Sequence, residues 1–206
     1  MDNKEIRSTE VNFSPIEDES RTVEGYAIVF NSLSHDLGGF REQISPEALE
    51  GVLERSDVLA LLNHDQSRGI LARSKYGEGS LTLEIDDKGL KYRFEAPHTA
   101  LGEEVLEYLR RGEITSSSFA FTIEKDDWVN TDKGYIRTIK RFKKLHDVSP
   151  VFSPAYEAAT ACKRFAEIQE EDRKAMEEAQ RIAEEEKRNA LEKYYNNLKE
   201  KIKNYL

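Results

Sequence analysis

The chain has 206 residues, 38% of them hydrophobic and 34% charged, a balance that suits one buried core with an appendage in a water-soluble molecule. It holds no run of about 18 apolar residues, and the opening MDNKEIRSTE is charged where an export signal would be apolar, so no membrane span is expected and an intracellular protein is. The net charge of −9 lies wholly in residues 1–162, because residues 163–206 carry 11 basic and 11 acidic side chains; a field of that sign repels phosphate backbones and argues against a nucleic-acid partner.

Residues 1–10 are polar and read as a loose terminus or the leader of a strand. Beyond Val11 the apolar positions alternate in places, and Tyr26-Ala-Ile-Val-Phe30, preceded by Gly25, predicts a buried strand. Asn31 to Gly39 has loop composition. Ser45-Pro46-Glu47 then reads as an N-cap, a proline at the first helical position and an acidic first turn, which predicts a short helix to about Leu53.

Val58-Leu-Ala-Leu-Leu62 is an apolar run that stops at Asn63-His64-Asp65. Further strands are expected at Gly69 to Leu71 and Ser80 to Ile85. Asp86-Asp-Lys-Gly89 reads as a turn, so that Leu81 to Phe94 forms a hairpin with one buried face. Leu101, Val105, Leu106 and Leu109 recur at helical spacing between Thr99 and Arg111, with Gly112 as the C-cap glycine. That helix leads into Ser116-Ser-Ser118. Strands are predicted at Ser117 to Ile123, Tyr135 to Leu145 and Val148 to Phe152, so antiparallel β-structure dominates.

The globular part is expected to end near Cys162. This cysteine has no partner elsewhere in the chain, which excludes an internal disulfide, and it follows the apolar segment from Val151 to Ala161, which suggests packing. Arg164 to Leu206 lacks Gly and Pro, about half of it is charged, and apolar residues fall on one side of a long amphipathic helix. About 40 residues at about 1.5 Å each span roughly 60 Å, too long to cover a small domain alone. The helix can be a solvated rod or can dock on a partner protein or on a second copy.

Serine becomes a nucleophile only beside a base, and histidine is the usual one. Of the four histidines, His35 lies in a polar loop and His98 follows a proline, whereas His64 and His146 abut apolar segments. A base at the end of a strand is held by the strand while its ring reaches a cleft; the plain alternative is a polar residue that merely terminates the strand. Among the serines, Ser118 would share a strand face with the small Ala120 while Phe119 and Phe121 anchor the opposite face in the core. Ser116 to Ser118 can equally be a polar turn entering the strand. There is no GxSxG elbow. No HExxH, paired cysteines or histidines one helical turn apart are present, so neither a metal nor a cofactor is expected.

Over Val11 to Ala161 the chain resembles the prohead maturation proteases of tailed bacteriophages. The resemblance lies in Gly25-Tyr-Ala-Ile-Val-Phe-Asn31, Leu62-Asn-His-Asp65, Gly89-Leu90, the helix into Arg111-Gly112, Ser118-Phe-Ala-Phe121 and Asp147-Val-Ser-Pro-Val-Phe-Ser-Pro-Ala155, in that order. Where the family often has Ser-Phe-Gly-Phe, this chain has Ala120. The resemblance implies a serine endopeptidase with Ser118 as nucleophile and His64 as general base. For the third member, Asp147 matches the acidic position before Val-Ser, while His146 competes because related herpesvirus-type assembly proteases use a second histidine. Glu157 is a further possibility. Regular alternation sends His146 and Asp147 to opposite faces, and a carboxylate is the usual orienter of imidazole, which favours Asp147. No oxyanion-hole donor is assigned.

The expected fold is α+β, a largely antiparallel β-barrel with surrounding helices of the herpesvirus assembly-protease kind, followed by the long helix. The expected division is a loose segment 1–10, a protease domain 11–162 and a charged, coiled-coil-like helix 163–206. The resemblance further implies capsid-protein N-terminal segment, scaffold and the enzyme itself as substrates, and residence in the host cytoplasm and prohead interior. Homo-oligomerisation through the barrel or the helix is a further expectation. A different functional class also fits: a noncatalytic assembly factor that keeps the fold and binds through its C-terminal helix.

Overall fold

The computed structural model describes residues 4–10, 20–153 and 159–203. Ten strands and two α-helices are found among them: β1 (Lys4–Glu10), β2 (Thr22–Val29), β3 (Phe40–Ile44), β4 (Asp57–Ala60), β5 (Ala72–Lys75), β6 (Glu78–Gly79), β7 (Leu81–Ile85), β8 (Gly89–Glu95), α1 (Ala100–Arg110), β9 (Ser116–Thr131), β10 (Gly134–Val151) and α2 (Ala159–Lys203). The compact units are Met1–Cys162 and Lys163–Leu206.

One sheet runs in the order β1-β9-β10-β4-β5-β6, with β3 also pairing β10, and a second runs β2-β8-β7. Both contribute to one core, in which Val23 and Tyr92 of the second sheet and Phe119, Phe121 and Val148 of the first are buried. The aromatic rings of Phe119, Phe121 and Phe142 stack there, with Phe121 and Phe142 centroids 4.5 Å apart. Period-2 alternation aims these rings inward and leaves the opposite face of β9 to Ser118 and Ala120.

Among the described residues no closed barrel is found, in contrast to the one expected from the resemblance. Backbone ladders run without a break from β1 to β6 and from β7 to β2, but none joins β1 to β2 or β6 to β7. At the first seam the strands still approach, and the Thr9 hydroxyl donates to the Ala27 carbonyl at 2.8 Å. A side-chain bond replaces the ladder there. The architecture is mixed α+β, mostly sheet, with a long C-terminal helix.

Several expected elements take a different form. Lys4–Glu10 is not a loose terminus but a full strand that pairs antiparallel with β9 from Lys4↔Thr122 to Glu10↔Ser116. Charge hid it: Glu5 and Arg7 are only 4% exposed, and they are neutralised by each other, by Glu42 and by Arg137. Instead of one helix over 45–53 there are two short 3-10 turns, Pro46–Leu49 and Leu53–Arg55, because the Ser45 side chain makes no cap bond and Gly51 at φ 62° interrupts the helical path. The strands predicted at 135–145 and 148–152 are one strand of 18 residues. The strand predicted over 69–71 is displaced: it starts three residues later, at Ala72, and continues to Lys75.

The β7–β8 hairpin forms as expected. Asp86 accepts from the backbone N–H groups of Lys88 and Gly89 at 2.8 and 2.9 Å, and a Cβ on Gly89 would meet the Ile28 carbonyl oxygen at 1.9 Å. Thr99 caps α1 by accepting from Gly102 N–H at 3.2 Å, a residue the hydrophobic spacing alone did not mark as a cap. Helix α2 begins at Ala159, five residues before the expected start. Cys162 is half-buried, and its thiol donates to the Leu37 carbonyl at 3.2 Å. Among the described residues no helix is long and apolar enough to cross a membrane.

Candidate active site

Strand β9 lies between β1 and β10, and the register sets three serines in one row across them: Ser8, Ser118 and Ser149. The next row on the same face is Ile6, Ala120 and Asp147. Ser118 and Asp147 are therefore diagonal neighbours on one face, a separation of roughly 7–8 Å between backbones that side chains can bridge. The ring of His64 bridges it. Its Nε2 is 2.6 Å from Ser118 Oγ, and its Nδ1 is hydrogen-bonded to Asp147 Oδ1. Ala120, fully buried, neighbours both on this face, two residues from Ser118 on β9 and paired with Asp147 on β10, so a larger side chain there would compete with the imidazole.

Of the consecutive serines, Ser117 and Ser118 serve different ends. Ser117 points into the core, where its Oγ is 2.8 Å from the buried Tyr92 hydroxyl, and burial raises the Tyr92 phenol well above its ordinary value. Ser118, on the opposite face and fully buried, is the one that meets histidine. Its hydroxyl has a second acceptor, the Arg7 carbonyl oxygen at 2.9 Å. One proton serves two acceptors, so the hydroxyl donates to His64 only when it leaves Arg7.

Asp147 reaches this face through a bulge. Leu145 pairs with Phe121 and Asp147 with Ala120, which places His146 at the register shift as the bulge's extra residue. In an unbroken strand Asp147 would share the core-facing side with Leu145; the bulge re-aims it to the Ala120 side. Regular alternation, the sequence-based reason for preferring Asp147, therefore does not apply at this point. The two residues are separated by their partners instead: His146 Nε2 lies 2.8 Å from Thr122 Oγ1, while Asp147 holds His64. Glu157 lies outside the described residues.

The Asp147 carboxylate is 2% exposed. Burial works to raise its pKa, but the His64 hydrogen bond, the His64 charge and the nearby Lys4 ammonium outweigh burial and hold it below its ordinary 3.8. It is thus an anion at neutral pH. Its Oδ1 also accepts from the buried Ser149 hydroxyl at 2.9 Å, and its Oδ2 from Lys4 Nζ at 3.1 Å. Sequence reasoning missed both supports. The two-residue step from Asp147 to Ser149 was a readable signal, since same-face neighbours on a strand recur every second residue; Lys4 gave none, because its strand was not expected.

His64 is not carried on a strand end. Strand β4 stops at Ala60, and Asp65 N–H donates to the Leu62 carbonyl at 3.1 Å across a tight turn. The two central residues of that turn, Asn63 and His64, have φ of 53° and 60°, the type I′ pattern. Asp65 fixes the exit of the turn by accepting from Ser67 N–H at 2.9 Å and the Ser67 hydroxyl at 2.6 Å. A non-glycine residue in the left-handed region is held there by its surroundings, and such residues concentrate at functional sites.

The arrangement can do one chemistry well: a hydroxyl 2.6 Å from an imidazole whose other nitrogen is fixed by a buried carboxylate can be deprotonated as it attacks an electrophile. Residues 5–174 match the family model described as Caudovirus prohead serine protease. A solved structure, described as the bacteriophage T4 capsid assembly protease, gp21, is similar with 13% identity and a TM-score of 0.45, covering 73% of this chain and 99% of that one. Among the curated proteins none matches.

Proposed function

This chain belongs to the caudovirus prohead serine protease family, and we propose that it is a serine endopeptidase in which Ser118 is the nucleophile, His64 the general base and Asp147 the orienting acid. The observation that carries this reading is the His64 ring, bonded to Asp147 through Nδ1 and 2.6 Å from Ser118 Oγ through Nε2.

In the proposed mechanism, Asp147 keeps the Nδ1 proton of His64 in place, which leaves Nε2 as the acceptor. As Ser118 Oγ bonds to the peptide carbonyl carbon, its proton passes to Nε2 and negative charge develops on the carbonyl oxygen. The C–N bond then breaks, and the departing amine takes that proton. Water repeats the sequence on the acyl-enzyme: it gives a proton to Nε2, attacks the ester carbon and releases Ser118, which takes its proton back. Asp147 remains ionised throughout, consistent with a carboxyl held below its ordinary range. No metal or cofactor enters the scheme.

The substrates proposed are proteins of the capsid shell under assembly: the N-terminal segment of the capsid protein or the scaffold, and the enzyme's own chain, cut inside the prohead. The test is co-expression of the full chain with its capsid precursor. Wild type is expected to shorten the precursor, whereas Ser118→Ala leaves it uncut while remaining folded by circular dichroism. Equal processing by the two proteins would remove Ser118 from the role of nucleophile and favour a noncatalytic assembly factor.

A further inference from the structure

His64 occupies the third position of the turn Leu62-Asn63-His64-Asp65, where φ is 60°, a position normally given to glycine. Something must hold the histidine there, because the left-handed region is unfavourable for a side chain with a Cβ. The residue before it does so in two ways. Asn63 is itself at φ 53°, and asparagine tolerates this region better than most residues. It also ties the turn to the outgoing end of β10: its backbone N–H donates to the Pro150 carbonyl at 3.1 Å, and its Oδ1 accepts from Phe152 N–H at 3.1 Å.

The place of those bonds matters more than their strength. Pro150 and Phe152 lie three and five residues beyond Asp147 on the same continuous segment of chain, and Ser149, between them and Asp147, donates to the Asp147 carboxylate. The acid is thus aimed, and the turn bearing His64 is fastened, by one short piece of backbone. We propose that Asn63 is a positioning residue for the base: its carboxamide and left-handed backbone set His64 at hydrogen-bonding distance from both Asp147 and Ser118. This rests on the reading of His64 as the base. Asn63 touches none of the reacting atoms.

The test uses the purified full chain and a fluorophosphonate probe, which phosphonylates an activated serine and needs no knowledge of the natural substrate. Asn63→Asp retains the left-handed tolerance and an acceptor for Phe152 N–H, Asn63→Gly retains only the backbone freedom, and Asn63→Ala retains neither. A misplacement of about 1 Å in a reacting group costs about 10²-fold, so Asn63→Ala is expected to lower the labelling rate by about that factor. Asn63→Asp should recover most of the rate, and Asn63→Gly should fall between. In proton NMR the downfield Nδ1–H signal of His64 should disappear in Asn63→Ala and persist in Asn63→Asp, at unchanged circular dichroism.

Labelling of Asn63→Ala within about twofold of wild type would overturn the proposal, and so would an Asn63→Asp protein as slow as Asn63→Ala. Should Asn63→Ala not fold, the contrast between the Gly and Asp variants decides: equal rates in those two defeat the role of the carboxamide. Failure of the underlying reading is separate, because it shows as an unlabelled wild type or as undiminished labelling in Ser118→Ala.

Discussion

At the scale of single residues, the site is a problem of fitting one imidazole over a sheet face. Ser118 and Asp147 are diagonal across β9 and β10, and Ala120 is the neighbour they share on β9. Its size is therefore constrained: Ala120→Val is expected to displace the ring and lower fluorophosphonate labelling by about 10²-fold, while Ala120→Gly should label at close to the wild-type rate. A valine variant labelled as fast as wild type would show that the ring does not need that space. Alternation in Ser118-Phe-Ala-Phe121 made the outward Ser118 and Ala120 legible in the sequence, because inward phenylalanines leave only one face for chemistry. Asp147 was legible by resemblance but not by geometry, since a bulge at His146 has no marker in sequence and reverses the faces beyond it. The left-handed turn at Asn63-His64 was equally hidden: histidine is not a residue that announces a positive φ.

At the scale of elements, the strand that sequence reasoning undervalued is tied in by buried charge. Arg137 on β10 donates to Glu5 on β1, to Glu42 on β3 and to Asp126 on β9, while Arg7 on β1 binds Glu42 and Glu5. The Arg137 guanidinium is held even more firmly protonated than usual: burial opposes the charge, but Glu5, Glu42 and Asp126 outweigh it. Removing one member of such a network leaves its partners charged in a dry environment, which costs about 3–5 kcal/mol. Arg137→Met is expected to lower the unfolding free energy in urea by that amount, and a loss below about 1 kcal/mol would mean that the network is solvated. Lys4–Glu10, with Ile6 as its single apolar residue, read as a loose terminus or the leader of a strand because single residues do not reveal partners 35 or 132 positions away. By contrast, the hairpin of β7 and β8 and helix α1 were legible, since the Asp86-Asp-Lys-Gly89 turn and an apolar stripe are local signals.

At the scale of the whole molecule, the residues proposed for catalysis all lie within Met1–Cys162, and the family match extends only to residue 174. The distal helix carries exposed ion pairs such as Arg173 with Glu170 and Glu177, and pairs of that kind contribute little each. A chain ending at residue 174 is therefore expected to label with fluorophosphonate at the full-length rate; a loss of tenfold or more would make the distal helix part of the active enzyme. Its helical character was legible from the absence of Gly and Pro, but its start at Ala159 was not, because Ala159-Thr-Ala161 carries no cap signal that separates it from the segment before it.

The position of Ser118 in the middle of three paired strands also constrains inhibitor chemistry. The backbone donors and acceptors of β9 beside Ser118 are already engaged by β1 on one side and β10 on the other. A peptidomimetic drawn as an extra strand has no open edge of β9 to join there. Compounds aimed at this proposed nucleophile have to descend on the sheet from above, as compact warheads recognised by what surrounds His64.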